Sequence, residues 1–403
     1  MAARLSPGVL LLCLACWTIP VQAGEPSVVR SKAQLDEVLA SGRPTPLDAL
    51  TPYGKRRLLR GIVWRDKGMG GFSATQLVRE LDASQIGQVL AFFDLAAYAK
   101  GYSENLSGAP VRLPPPSGAL EAQLDRFEQL YRELDEERAP AADASSARRM
   151  KPMVSYYDTV FAGRMKPAAL RRQAPGDLPA LFDAALLASN LDPASPATGH
   201  LLSVHREMAA RGIDTRRGFD DSVLYGMLAA RRFEEARSFT AGRPHLGKHK
   251  IPTVVDTLGT AFSGRSLYEY DAGKDVLVRR ADPPPAGVEL VMVVGAGCHF
   301  SRDALAALRA NPVLLARLRQ ANLKLLISPR EPIPFWYLAE WNAANPTLPL
   351  RVAYDTKEWI LIAEANTPEF FLLEDGKPAG HVIGWPKDGN AAALLALLDT
   401  ARD

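Results

Sequence analysis

One stretch constrains this chain more than any other: GVELVMVVGAGCHFS, beginning at Gly287. Its apolar run, Val288 to Val294, is short, Val-rich and closed by Gly295-Ala296-Gly297, so it reads as a buried strand rather than a helix. Beyond it, Leu305, Leu308, Val313, Leu315 and Leu318 recur at roughly helical spacing. A strand therefore hands over to a helix at Cys298. The orphan N–H groups and the dipole of a helix N-terminus favour a thiolate over a thiol.

The remaining cysteines sharpen the point. Of three in the chain, Cys13 and Cys16 lie in a leader that resembles a secretory signal over residues 1–23. Arg4 supplies its positive start, Val9 to Trp17 its apolar core, and Val21-Gln22-Ala23 a small-residue cleavage pattern. Cys13-Leu14-Ala15 fits poorly as the lead into a lipidated Cys16, so lipoprotein anchoring is the weaker reading. Cleavage after Ala23 would place the protein in the periplasm or outside the cell with Cys298 as its one thiol and no internal disulfide. A leftover thiol in an oxidising compartment is either inert or available for mixed disulfides. No later run approaches the ~20 apolar residues of a spanning helix. Lys and Arg number 48 against 45 Asp and Glu, which leaves no dense basic field and argues against a nucleic-acid partner.

A chain of 403 residues exceeds one typical domain. The expected organisation is multidomain: an all-α N-terminal region followed by an α/β domain. Residues 24–137 read as a helical domain. Thr51-Pro52 is a capped helix start, Gly68 to Gly71 a loop, Asp82 to Lys100 a helix stopped by Gly101, and Leu120 to Leu134 an amphipathic stripe. RAPAADASSARR, within 138–149, lacks large apolar residues and reads as a linker. Residues 150–262 read as a second helical domain. There, Leu228 to Ala236 resembles the turn and second helix of tetratricopeptide-type hairpins, without a repeat of fixed period. From 266 to 403 strands alternate with helices, which implies a mostly parallel sheet closed by an antiparallel hairpin at Glu374-Asp375-Gly376-Lys377.

The order of elements from 266 onward resembles thioredoxin-like proteins. Its two carriers are the thiol turn at Cys298 and the tail TPEFFLLEDGKPAGHVIGW, a proline-led strand, turn and return strand. Pro368 lies 70 positions after Cys298, a spacing similar to the branch with an inserted helix. The resemblance implies that Pro368 is a cis proline and that Thr367 presents backbone to a substrate beside the thiol. It also implies a catalytic role for Cys298; beside it, Ser301, one turn into the helix, can donate to the thiolate, and His299 when protonated can add positive charge, both favouring the reactive form. Two departures limit that chemistry. The family's second cysteine is replaced by Ser301, and Met292 stands where many members carry a buried carboxylate. Two functions fit. One is monothiol thiol–disulfide exchange, oxidoreductase or isomerase-like, in which Cys298 forms mixed disulfides with client proteins. The alternative is a non-catalytic binding or assembly module on the same fold. Neither requires a cofactor. His245 and His249 have a metal-compatible spacing, but Gly247 lies between them and no third ligand stands out, so no metal is expected.

Overall fold

A computed structural model describes residues 28–65, 68–104, 106–136 and 145–400. The expected signal segment, and residues 138–144 of the expected linker, lie outside the described residues. The chain divides into two compact units, Met1–Asn105 and Leu106–Asp403.

The first unit is mainly helical, with α1 (Lys32–Ala40), α2 (Pro52–Arg60), α3 (Thr75–Glu80), α4 (Ala83–Phe92) and α5 (Ala99–Ser103). Local capping chemistry sets these boundaries. Thr51 accepts from Gly54 N ahead of Pro52 at the first position of α2, and Asp82 forms a capping box with Gln85 at the start of α4. Two expectations are corrected here. The helix from Asp82 stops at Phe92, before the left-handed Asp94, and Gly101 lies inside α5. The unit is also not all-α. An antiparallel ribbon, β1 (Val63–Arg65) with β2 (Gly68–Gly71), occupies what reads as a loop. Val63 and Trp64 are strand formers, and the register shift between them accommodates the glycine-rich partner.

The second unit begins with α6 (Gly118–Glu136) and α7 (Ser145–Val160), so the chain is helical from Ser145 within the expected linker. Ala147, Arg148 and Arg149 are good helix formers, and absence of apolar residues does not by itself make a linker. Next come α8 (Pro167–Leu170), α9 (Asp177–Leu191), α10 (Ala197–Ala210), and the hairpin of α11 (Phe219–Ala229) and α12 (Phe233–Ala241).

An eight-stranded sheet follows, in the order β10-β9-β6-β7-β8-β4-β5-β3. Its strands are β3 (Thr253–Asp256), β4 (Ser266–Asp271), β5 (Val276–Ala281), β6 (Val288–Val293), β7 (Lys324–Ile327), β8 (Leu350–Ala353), β9 (Glu369–Glu374) and β10 (Lys377–Ile383). Interspersed are α13 (His299–Ala310), α14 (Pro312–Gln320), α15 (Phe335–Ala344) and α16 (Ala391–Asp399). The sheet is mixed rather than mostly parallel. β6, β7 and β8 run parallel, β9 pairs antiparallel with β6, and the β4–β5 hairpin joins antiparallel through β8. β3, in a segment expected to be helical, adds parallel to β5. The single helix expected across Leu305 to Leu318 is two, because Asn311 caps a fresh start at Pro312 and accepts from Leu314 N.

One face of the central strands, including Leu290, Met292, Leu325 and Phe370, belongs to an apolar cluster that runs from Leu120 in α6 to Leu398 in α16. The other face gathers Val291, Val293, Leu326 and Phe371 with Trp359 and Ile362. This alternation is what strands buried on both faces require. Arg231, in the turn between α11 and α12, ties the helical hairpin to the sheet. Its guanidinium donates to five carbonyls: Leu228, Pro329, Glu331, Ala353 and Tyr354. Most of these follow the carboxyl ends of β7 and β8, so α11 is held above the end of the sheet where β6 delivers Cys298. No helix among the described residues is long and apolar enough to cross a membrane.

Candidate thiol site

β6 carries the chain to Val294, whose N–H donates to Leu326 O at 2.8 Å. The turn that follows closes on itself: Cys298 N donates to Gly295 O at 3.1 Å, and Gly295 N donates to Ser301 Oγ at 3.2 Å. Cys298 is the N-cap residue of α13, with φ −85° and ψ 116°, and it is half-buried. Its Sγ donates to the Thr367 carbonyl oxygen at 2.9 Å. The Thr367–Pro368 peptide bond is cis and Pro368 is buried. Cys298, Thr367 and Pro368, far apart in sequence, thus meet at one point.

Gly295 makes the meeting possible. A Cβ there would stand 2.7 Å from Thr367 Oγ1 and 3.0 Å from Thr367 Cβ. The Thr367 loop is fixed from behind by Glu369, which is 4% exposed. Glu369 accepts from Asn366 N at 2.8 Å, and its other oxygen lies 2.8 Å from His381 Nδ1 on β10. Sequence reasoning missed Glu369 and His381. The available signal was a lone acid heading the apolar run Phe370-Phe371-Leu372-Leu373.

The other two expected site residues are placed differently from Thr367 and Pro368. Ser301 is fully buried beneath the turn, where its hydroxyl accepts the Gly295 N–H. His299 is exposed and its ring lies 3.8 Å from that of Phe300, itself 45% exposed. Among the described residues no hydrogen bond joins either side chain to Sγ. His245 and His249 do not share a helical face. His245 Nε2 lies 2.9 Å from Asp220, and His249 Nε2 lies 3.8 Å from Asp221. Burial pushes the Asp220 carboxyl up, but hydrogen bonds from His205 and Thr215 and the charge of Arg243 outweigh it and hold it below the usual range. No group of three or more His, Cys, Asp or Glu among the described residues could hold a metal ion.

Beside the thiol opens a cavity of about 790 Å3. Gly295, Gly297, Cys298 and Thr367 form its floor. Tyr225 and Leu228 of α11, the Lys248–Lys250 segment, and Phe335 and Trp336 at the start of α15 also line it, with the Tyr225 and His249 rings 5.6 Å apart. Tyr270, Asp275 and Glu331 are among the other lining residues. Tyr225 and Trp336 keep 43% and 62% of their surface exposed, so the cavity has an aromatic rim. Burial, helped by a hydrogen bond to Asp275, pushes the Tyr270 hydroxyl up to about 12. Glu331 keeps exposed surface, yet burial of its carboxyl pushes its pKa up, against the pull of Arg231. None of the helical wall was visible from the thiol motif, because Tyr225 and Lys248–Lys250 are remote in the chain and only the fold brings them there.

No protein-family model and no curated protein matches the chain. Among solved structures, it is similar to a thioredoxin-like protein from Bacteroides caccae at 16% identity and a TM-score of 0.22, over 73% of this chain and 99% of that one.

Proposed function

We propose that this is an exported protein whose C-terminal portion, thioredoxin-like in its order of elements, performs monothiol thiol–disulfide exchange on client proteins. One observation carries the reading: a half-buried thiol, at the N-cap of a helix, meets the Thr367 carbonyl on the floor of an open cavity. Attack begins when the Sγ proton leaves the Thr367 carbonyl for solvent. The thiolate then displaces one sulfur of the client disulfide, so a Cys298–client bond forms and the departing client sulfur takes a proton from water. Ser301 cannot supply the second thiol, so release depends on a thiol from outside the chain. The leader at 1–23 supports a periplasmic or secreted location, which N-terminal sequencing of the mature protein would establish by a start at Gly24.

Trapping mixed disulfides from the exported compartment tests the function. Adducts present with the natural chain and absent with Cys298→Ala support exchange. A thiol that iodoacetamide does not label in the folded protein ends it.

The burial of Ser301 under the turn favours a second reading, a binding module in which the cavity holds a partner without chemistry. Under that reading Cys298→Ser keeps partner binding and phenotype intact.

A further inference from the structure

We infer that Glu369 and His381 form a proton-linked positioning pair behind the Thr367 loop, so that the reactivity of Cys298 follows the charge of His381. The inference rests on the monothiol reading above and adds a regulation which that reading does not contain.

The connection to the thiol runs through the loop. β9 pairs with β6 so that Glu369 stands opposite Val293, on the strand beside the one that delivers Cys298. One Glu369 oxygen accepts from Asn366 N at 2.8 Å and lies 3.3 Å from Asn366 Nδ2. Asn366 is joined by one peptide to Thr367, whose carbonyl oxygen receives the Sγ hydrogen. A hydrogen bond, a short piece of backbone and a second hydrogen bond therefore separate a carboxylate from the sulfur. Gly384 N, just past β10, donates to Pro368 O at 2.8 Å and fastens the same loop from the other side.

The charge in this chain of contacts is a buried one. Glu369 is 4% exposed, so its field acts through protein rather than through water. Its other oxygen lies 2.8 Å from Nδ1 of His381, which stacks on Phe371 and is half-buried, open enough to trade its proton with solvent. Histidine is the side chain whose ordinary titration falls between about pH 5 and pH 8. Among the described residues Glu369 is the one charged partner of His381. On this face of the sheet, Glu358 and Glu364 are paired with Arg279 and Arg330. On the other face α16 brings Asp399, which is paired with Arg317. Lys377 lies at the far end of β10, and Lys387 and Asp388 are exposed beyond its near end.

With His381 protonated the pair is neutral. With His381 neutral the pair carries one negative charge, which opposes the charge of a thiolate nearby. Screened as near a protein surface, a charge of this kind changes the thiolate population by about threefold.

The test is the rate of iodoacetamide labelling of Cys298 in the full mature chain from about pH 5 to pH 8, read by intact mass. Each rate is divided by that of a variant at the same pH, which removes the thiol's own rise with pH. His381→Asn keeps a donor toward Glu369 and fixes the pair at one negative charge. It should label about threefold more slowly than the natural chain at the acid end and equally at the alkaline end. Glu369→Gln combined with His381→Asn keeps an acceptor for Asn366 N and fixes the pair at zero. It should match the natural chain at the acid end and label about threefold faster at the alkaline end. A loop that is merely loosened scales the rate alike at every pH. If His381→Asn does not fold, by its urea midpoint, His381→Gln takes its place. Ratios that stay flat across the range overturn the inference and leave the monothiol reading standing. A natural chain that resists iodoacetamide at every pH overturns both.

Discussion

Gly295 has only hydrogen where any other residue would drive a carbon into Thr367, and the whole site depends on that approach. The two nearest atoms a new Cβ would meet belong to Thr367 and the third is Cys298 Cβ at 3.1 Å, while Glu369 pins the Asn366 N–H just ahead of Thr367, so the loop has little room to yield. Gly295→Ala is expected to cost about 1–3 kcal/mol by overpacking, read as a lower urea midpoint. It should also separate Sγ from the Thr367 carbonyl, seen as an altered rate of iodoacetamide labelling. Gly297→Ala is the matched control. It is exposed, and a Cβ there meets nothing within 4 Å, so its stability should stay within about 0.5 kcal/mol of the natural chain. Cys298, Thr367 and Pro368 stood out in the sequence because each sits at a punctuation mark, a glycine turn or a proline-led strand; that Cys298 meets the Thr367 carbonyl is what the fold adds. The Ser301 hydroxyl accepts from Gly295 N; spacing along a helix says which residues share a turn, not whether a hydroxyl faces the thiol or the backbone under it.

The hairpin of α11 and α12 turns a strand-end thiol into a walled site. Arg231 takes a left-handed φ of 57° in its turn, a conformation uncommon for a side chain of that size. Burial lowers its pKa to about 10, which still leaves the guanidinium charged at neutral pH and able to serve all its carbonyls. Arg231→Met keeps much of the stem but leaves buried carbonyls unpaired, at about 1–3 kcal/mol. The loss should loosen the α11 wall and quicken labelling of Cys298 by bulky reagents more than by small ones, a ratio that maleimides of graded size can measure. A general loss of stability would raise both alike. The hairpin's existence was legible from the apolar spacing and from Leu228 to Ala236. Its position over Cys298 was not, since the anchoring bonds run from one arginine to backbone groups that carry no sequence signal. β3 was missed for a related reason: Thr253 to Asp256 is too short to show alternation, and only pairing with β5 makes it a strand.

Over the whole second unit, buried ion pairs and a shared core join what the sequence divides. Glu289 is 1% exposed at the start of β6 and is held by Arg265 at 2.8 and 2.9 Å and by Lys324 at 2.6 Å. Burial pushes its carboxyl up, but the hydrogen bonds and charges of Arg265 and Lys324 outweigh that and hold it below the usual range. A folded-state pKa below the unfolded one contributes stability that is present above the unfolded value, near 4.3, and is lost as pH falls. The urea midpoint should therefore drop between about pH 5 and pH 3, and Glu289→Gln, already weakened at neutral pH, should show a shallower drop. The same joining bears on where the unit can be cut. Sequence patterning sets a boundary near residue 266, yet Phe233 of α12 packs edge-on against Tyr268 of β4 at 5.8 Å, and Arg231 donates to Pro329 O at 2.9 Å. The cluster spanning Leu120 to Leu398 would be opened along its length by that cut, and the carbonyls served by Arg231 would lose their donor. A chain of residues 106–403 is expected to unfold in urea as one cooperative transition by circular dichroism. Residues 266–403 alone should show no such transition and should bind a hydrophobic dye, because their helix-facing side would lie open to water. A sharp transition in the shorter chain would mean that the helices only rest on a self-sufficient sheet, and the wall over Cys298 would then be free to swing away from it.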